Sequence, residues 1–162
     1  TLSLHDALPI WKEPHVRVLI NATVPSNTGG VAKYFARIRP HMPSGTIFCT
    51  VGRRGAQSGL IRNGARLCAD YVSFARKLLR DAPDVVHLNP SLDHGALLRD
   101  AVFLLVAKMF GKKVIVFFRG WNTDFERAMK KVGLSAFRAV YFRADAMIVL
   151  ASEFRQKLRD LG

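Results

Sequence analysis

The chain has few acidic residues, few cysteines and no long apolar run. Only 12 of its 162 residues are Asp or Glu, against 25 Lys and Arg, so the formal net charge is +13. No segment reaches the roughly 18 apolar residues that a membrane-spanning helix needs. The nearest, Ala101–Phe110, contains Lys108 and is typical of a buried helix. The two cysteines form neither a C-x-x-C pair nor a metal-ligand set. The sequence therefore predicts neither integral membrane insertion nor a metal site.

The standard nucleotide-binding fingerprints are also missing. The chain has no G-x-G-x-x-G motif and no Walker loop, which argues against a dinucleotide-dependent dehydrogenase. Its basic residues are scattered, with no RNA-binding strand motif or zinc-finger spacing. The positive charge therefore favours nucleotide-linked substrates or anionic lipid headgroups over nucleic acid.

Five short apolar runs, bounded by turn residues or charges, predict strands that are covered on both faces. They are Val16–Ile20, Thr46–Val51, Val85–Leu88, Val114–Phe118 and Ala146–Leu150. Helical patterns fill the gaps, at Val31–Arg39, Arg66–Arg80, His94–Phe110, Asp124–Val132, Leu134–Phe142 and Ser152–Leu161. This alternation predicts right-handed β-α-β units. The expected fold is α/β, a Rossmann-like three-layer sandwich with a mainly parallel sheet.

Several local features follow from these patterns. The second helix is expected to carry Arg66, Asp70, Ser73, Lys77 and Arg80 on its polar face and Leu67, Tyr71, Phe74 and Leu78 opposite. Gly52–Gly64 predicts an exposed basic loop, and Gly111 predicts the end of the third helix. Cys49 and Cys68 are expected to be small core residues, which suits a cytoplasmic protein.

The first residues stand apart from this pattern. Thr1–Ile10 has no strand or helix period and resembles a translated leader of artificial origin. We expect residues 1–12 to be a non-native or disordered leader. Residues 13–162 are long enough to form one domain with a core.

The doublet Gly29-Gly30 lies between the first predicted strand and a helix. Backbone N–H groups at a helix start bind phosphate, so this turn predicts contact with a nucleotide or a phosphorylated sugar. A tight turn without a ligand is the alternative. Since such sheets bind ligands beyond the carboxyl ends of their strands, we expect the site in four loops. They are Pro25–Gly30, Asn89–His94, Arg119–Asp124 and Ala151–Glu153.

Five segments in series carry a family resemblance. They are Val16-Arg-Val-Leu-Ile20, Gly29-Gly-Val-Ala-Lys33, Asp84-Val-Val-His87, Val114-Ile-Val-Phe-Phe-Arg-Gly-Trp121 and the stretch from Arg143 to Arg155. In this order they resemble the amino-terminal half of GT-B fold glycosyltransferases of family 4. The resemblance implies retaining sugar transfer from a nucleotide-sugar donor, with no metal or other cofactor. It also implies an acceptor-side domain whose donor-binding partner domain follows Gly162, and a fragment that is inactive alone.

The resemblance assigns roles to particular residues. Gly29 and Gly30 match a glycine loop near the donor diphosphate. Arg119 stands where the family commonly has histidine, and it is the candidate catalytic residue. Arginine stays protonated and is no general base, but its fork can hold a leaving phosphate or an acidic acceptor. The other candidate binding residues are Lys33, Asn89, Asp93, His94, Gly120, Trp121 and Asn122, and the candidates for a supporting role are His87, Asp124 and Ser152.

Structural roles remain open for most of these residues. Lys33 also fits a solvated helix face, Trp121 a core or hinge aromatic, and Asp124 and His94 helix caps. His87 also fits a structural histidine. Ser152 is expected to cap the last helix.

Two functions remain open at this stage. The first is a glycosyltransferase domain acting on a glycan or lipid-linked acceptor, with peripheral contact to an anionic membrane. The residues expected at that membrane are Arg127, Lys130, Lys131, Arg138 and Arg143, around Phe125, Met129, Phe137 and Phe142. The alternative for these aromatic residues is a stripe that faces the core. The second function is a non-catalytic Rossmann-like module that binds anionic membrane or nucleic acid.

Overall fold

The computed structural model describes residues 16–23, 30–52, 59–91, 94–119 and 133–161. Five strands within them form one sheet: β1 (Val18–Ala22), β2 (Thr46–Thr50), β3 (Val85–Leu88), β4 (Lys113–Phe118) and β5 (Ala146–Val149). The strand order is β2-β1-β3-β4-β5, and all neighbours are parallel. The five predicted strands are confirmed, with β1 displaced by two residues toward its carboxyl end.

Helices alternate with the strands. They are α1 (Gly30–Ile38), a 3-10 turn (Arg39–His41), α2 (Leu60–Arg80), α3 (His94–Met109), α4 (Leu134–Tyr141) and α5 (Ser152–Asp160). The α/β Rossmann-like fold is therefore confirmed. The predicted helix Asp124–Val132 lies outside the described residues.

The sheet is covered on both faces because its strands are apolar on both sides. On one face, side chains such as Leu19, Val86 and Val116 pack with α2, α3, α4 and α5 in the larger core. On the other face, Ile20 packs with Phe35 of α1 in a smaller core. Among the described helices, α1 thus covers one face of the sheet and α2 to α5 cover the other.

The glycine stop after α3 is confirmed. Gly111 has a φ of 66°, and the N–H of Lys112 donates to the carbonyl of Ala107 over 3.0 Å. This pairing of the last helical carbonyls is the usual role of a left-handed glycine beyond a helix end.

The predictions for α2 are partly wrong. The helix begins at Leu60, so Leu60–Gly64 is helical and not part of a loop. Asp70 is not on a solvated face: it is 1 % exposed, and its Oδ2 accepts the N–H of Gly52 over 3.0 Å. A carboxylate that binds a backbone N–H can be buried at much lower cost than an unpaired one.

Three further predictions have mixed outcomes. Cys49 is buried as expected, but Cys68 is exposed, on the side of α2 that faces away from the sheet. Ser152 is not a cap: Ala151 occupies the cap position, and there is no side-chain cap hydrogen bond there. Phe137 is buried in the core, which confirms the core-facing alternative for that residue.

Candidate functional site

The carboxyl ends of β1, β3 and β4 lie side by side. These strands are consecutive in the sheet, and His87 of β3 is opposite Ile20 and Ile115. The strand order reverses between β1 and β3, and α/β sheets bind ligands at such points. Asn89 comes directly after β3 and Arg119 directly after β4, so two predicted site residues lie at this edge.

Asn89 connects the three strand ends. Its side chain is buried, with the residue 8 % exposed. Its Nδ2 donates to the carbonyl of Asn21 on β1 over 3.1 Å. Its Oδ1 accepts from Nε and Nη2 of Arg119 over 3.2 and 2.9 Å. The amide therefore fixes the guanidinium relative to β1 and β3.

Aromatic rings also hold the Arg119 guanidinium. Its Cζ lies 3.7 Å from the ring centroid of Tyr34 and 4.3 Å from that of Phe117. The ring centroid of Phe35 is 4.9 Å away. A cation within about 6 Å of a ring face is attracted by the negative π surface. Arg119 is thus oriented by side chains from α1, from β4 and from Asn89, which follows β3.

The Arg119 guanidinium is a charged group beside neutral side chains, Asn89, Tyr34 and Phe117. Burial lowers the pKa of its guanidinium, while the Tyr34 hydroxyl opposes this change, and arginine stays charged at neutral pH. Among the ion pairs of the described residues, none joins Arg119 to a carboxylate. Asn89 receives two of the five guanidinium N–H groups. The arrangement is suited to binding a phosphate or carboxylate.

His87 lies next to Phe117 and near Arg119, on the face of the sheet that α1 covers. Its ring stacks on Phe117 with centroids 6.0 Å apart. Burial, and secondarily the charge of Arg119, lower its pKa to about 4. The imidazole is therefore neutral at pH 7, so no imidazolium is present there to act as a general acid. Its Nε2 is buried without a partner among the described residues.

Two helices begin at the same edge. α1 starts at Gly30 and α3 at His94, and neither has an acidic residue in its first turn. Helix N-termini carry a partial positive charge, so both add to the positive potential that Arg119 creates. Lys33, on α1, is exposed, in agreement with the solvated alternative.

Ser152, a further predicted site residue, does not lie beside Asn89 and Arg119. Ser152 begins α5 after the edge strand β5, two strands away from the β1–β3 boundary. The residues outside the described ranges are Gly29, Asp93, Gly120, Trp121, Asn122 and Asp124.

Sequence reasoning missed two residues. Tyr34 was overlooked because nothing local connects it with Arg119, 85 positions away; an aromatic residue in the first turns of a helix at the carboxyl edge was the available signal. Asn21 is 2 % exposed, and neither polar atom of its side chain has a partner among the described residues. A polar residue at the end of an apolar strand was the available signal there.

The described residues show neither a metal-ligand cluster nor a membrane-spanning helix. They contain no group of three or more His, Cys, Asp or Glu placed to hold a metal ion. Among the helices described, none has the length and apolar character needed to cross a bilayer. Comparisons with protein-family models, with curated proteins and with solved structures gave no match.

Proposed function

We propose that this domain is the acceptor side of a retaining, nucleotide-sugar-dependent glycosyltransferase of GT-B architecture. The observation that carries the proposal is the oriented Arg119 guanidinium at the carboxyl edge of the sheet, held by Asn89 and flanked by Tyr34 and Phe117. The five sequence segments, in their order along the chain, support the assignment to family 4 of these enzymes. In this proposal a second, donor-binding domain forms the opposite wall of the cleft.

The chemistry assigned to the site is leaving-group stabilisation. An acceptor hydroxyl forms a bond to the anomeric carbon, the bond from that carbon to the diphosphate oxygen breaks, and the hydroxyl proton passes to the departing phosphate. Arg119 stabilises the negative charge that grows on the diphosphate. The N-termini of α1 and α3 add to this stabilisation. His87 is neutral at pH 7 and acts only as a packing neighbour that stacks on Phe117.

A transfer assay tests the proposal. The longest open reading frame that contains this chain is expressed, and the purified product is incubated with radiolabelled uridine, guanosine and adenosine diphosphate hexoses and a membrane lipid extract. We expect one donor to be consumed, with label transferred to a glycan or lipid acceptor. Arg119→Gln is expected to lower kcat at least a hundredfold, the scale of losing one oriented charge in a transition state. Arg159→Gln, an exposed arginine on α5, is the matched control and is expected to retain activity.

The competing function gives a different result. A non-catalytic module consumes no donor, yet binds anionic vesicles or nucleic acid through its net charge of +13. Donor hydrolysis or transfer that is unaffected by Arg119→Gln would place the chemistry elsewhere. Absence of turnover with every donor, together with salt-sensitive binding to vesicles or nucleic acid, would favour the module.

A further inference from the structure

The side of α2 that faces away from the sheet carries a second apolar stripe. Its members are spaced alternately by four and three residues: Ile61, Ala65, Cys68, Val72, Ala75 and Leu79. This spacing places them along one helix face. Ile61 is 90 %, Val72 50 % and Leu79 67 % exposed, whereas Phe74 and Leu78 of the same helix are buried against the sheet. α2 is therefore apolar on two opposite sides.

The neighbouring helix α3 repeats this feature. Leu98, Val102, Leu105 and Met109 follow the same alternation of four and three residues. Leu98 is 73 % and Met109 84 % exposed. The two helices are in contact, since the rings of Tyr71 and Phe103 meet edge to face with centroids 4.8 Å apart. Two adjacent helices thus present apolar stripes to solvent.

The border of the α2 stripe is basic. The helix carries Arg62, Arg66, Arg76, Lys77 and Arg80. Its single acidic residue, Asp70, is buried and accepts the N–H of Gly52, and Asp81, directly after the helix, pairs with Arg80. A surface depression on this side is lined by Val72 and Leu79 together with Arg76 and Arg80. A molecule bound in this depression would therefore contact both apolar and positively charged side chains.

We propose that the outward stripes of α2 and α3 form a docking surface for an amphipathic helix of a partner protein whose apolar face is bordered by acidic residues. Helix-in-groove recognition uses apolar anchors with this spacing. The small side chains Ala65, Cys68 and Ala75 at the middle of the α2 stripe allow a helix to approach closely. Acidic residues at its border complement the arginines of α2.

A second copy of the chain and a membrane fit this surface less well than a partner helix does. A second copy of the chain packed through α2 places the basic border of one helix against that of its copy, and like charges across an interface oppose association. Faces that enter a bilayer interface are built from Trp, Phe and Leu. The α2 stripe has no aromatic residue and three small ones.

Binding of two synthetic peptides tests the proposal. Both are fluorescently labelled 21-residue helices with Leu at the a and d positions; one has Glu and the other Lys at the e and g positions. Fluorescence anisotropy measures their binding to the purified chain. We expect the Glu peptide to bind at least tenfold more tightly than the Lys peptide. It is also expected to slow the reaction of Cys68 with a thiol reagent, while Cys49 is buried and serves as the internal reference.

Variants locate the binding. Val72→Ser combined with Leu79→Ser is expected to weaken Glu-peptide binding at least tenfold. Val16→Ser, which alters another exposed apolar residue (52 % exposed), is the matched control and is expected to bind as the wild type does. Arg62→Glu combined with Arg76→Glu is expected to reverse the preference toward the Lys peptide. Circular dichroism confirms that each variant is folded.

Four results would overturn the proposal. The first is equal binding of the two peptides, and the second is Glu-peptide binding unaffected by V72S/L79S. The third is a dimer in sedimentation velocity that this double variant dissociates, which would assign the face to a second copy. The fourth is binding to phosphatidylcholine vesicles with 30 % phosphatidylglycerol that V72S/L79S abolishes, which would assign it to a membrane. None of these outcomes depends on glycosyl transfer.

Discussion

Burial of His87 is expected to make the domain less stable as the pH falls below neutrality. The pKa of the imidazole is about 4 in the folded protein, against an ordinary value of 6.5. Below pH 6.5 the unfolded chain therefore binds a proton that the folded chain does not. The stability associated with the neutral ring is complete above pH 6.5, is lost progressively as the pH falls from 6.5 to 4, and changes little below 4.

The magnitude follows from these two pKa values. At pH 5.0 the proton-binding factor is roughly 33 for the unfolded chain and roughly 1.1 for the folded one, so His87 accounts for about 2 kcal/mol of lost stability relative to pH 7.5. Acidic groups also change stability with pH. Their contribution is common to the wild type and to a variant without His87, so it cancels when the two are compared.

The assay is urea unfolding followed by circular dichroism at pH 7.5 and 5.0. We expect the loss of unfolding free energy between these pH values to be about 2 kcal/mol larger in the wild type than in His87→Gln. His41→Gln removes an exposed histidine and is expected to behave as the wild type. Equal losses in the wild type and His87→Gln, or an NMR titration of His87 near pH 6.5, would show that burial does not lower the pKa of His87.

Three further substitutions test the geometry by urea unfolding. Asn89→Ala removes one neutral and two charge-assisted hydrogen bonds and is expected to cost about 2–4 kcal/mol; a loss below about 0.5 kcal/mol, the usual range of a surface substitution, would contradict the bridging role. Gly52→Ala is expected to destabilise by about 1–2 kcal/mol, because Gly52 has a φ of 89° and an added Cβ lies 3.2 Å from Nη1 of Arg99. Gly64→Ala, in an open position within α2, is expected instead to stabilise by about 0.5–1 kcal/mol, and the same sign at both glycines would contradict the account.

The strands and their parallel arrangement could be predicted because they depend on local composition. Val85–Leu88 and Thr46–Thr50 are short apolar segments between polar ones, and helices of ten or more residues between strands require crossovers. The boundaries of β1 and α2 were less accurate. Leu60–Gly64 contains a glycine and follows a glycine-rich stretch, so its local propensity favours a loop. The segment is nevertheless the first part of α2, because tertiary context overrides a weak local propensity.

The contacts of the site could not be predicted in the same way. Asp70 was assigned to a polar face because its charge is local information, whereas its partner, the N–H of Gly52, lies on a different element. Similarly, the sequence predicts the position of Arg119 after β4. Its contact with Tyr34, however, depends on how α1 packs on the sheet. Pairings between distant segments are properties of the folded chain.

The proposed function requires that Arg119 bind an anion at the carboxyl edge of the sheet, and calorimetric titration measures that binding. Inorganic pyrophosphate and the diphosphates of uridine, guanosine and adenosine are titrated into the wild type, Arg119→Gln and Arg159→Gln. We expect at least one of these anions to bind the wild type and Arg159→Gln with equal affinity, and Arg119→Gln at least tenfold more weakly, as expected for loss of a charge-assisted contact. Binding that is equal in all three proteins, or absent from the wild type, would contradict the assignment of Arg119 as an anion-binding residue.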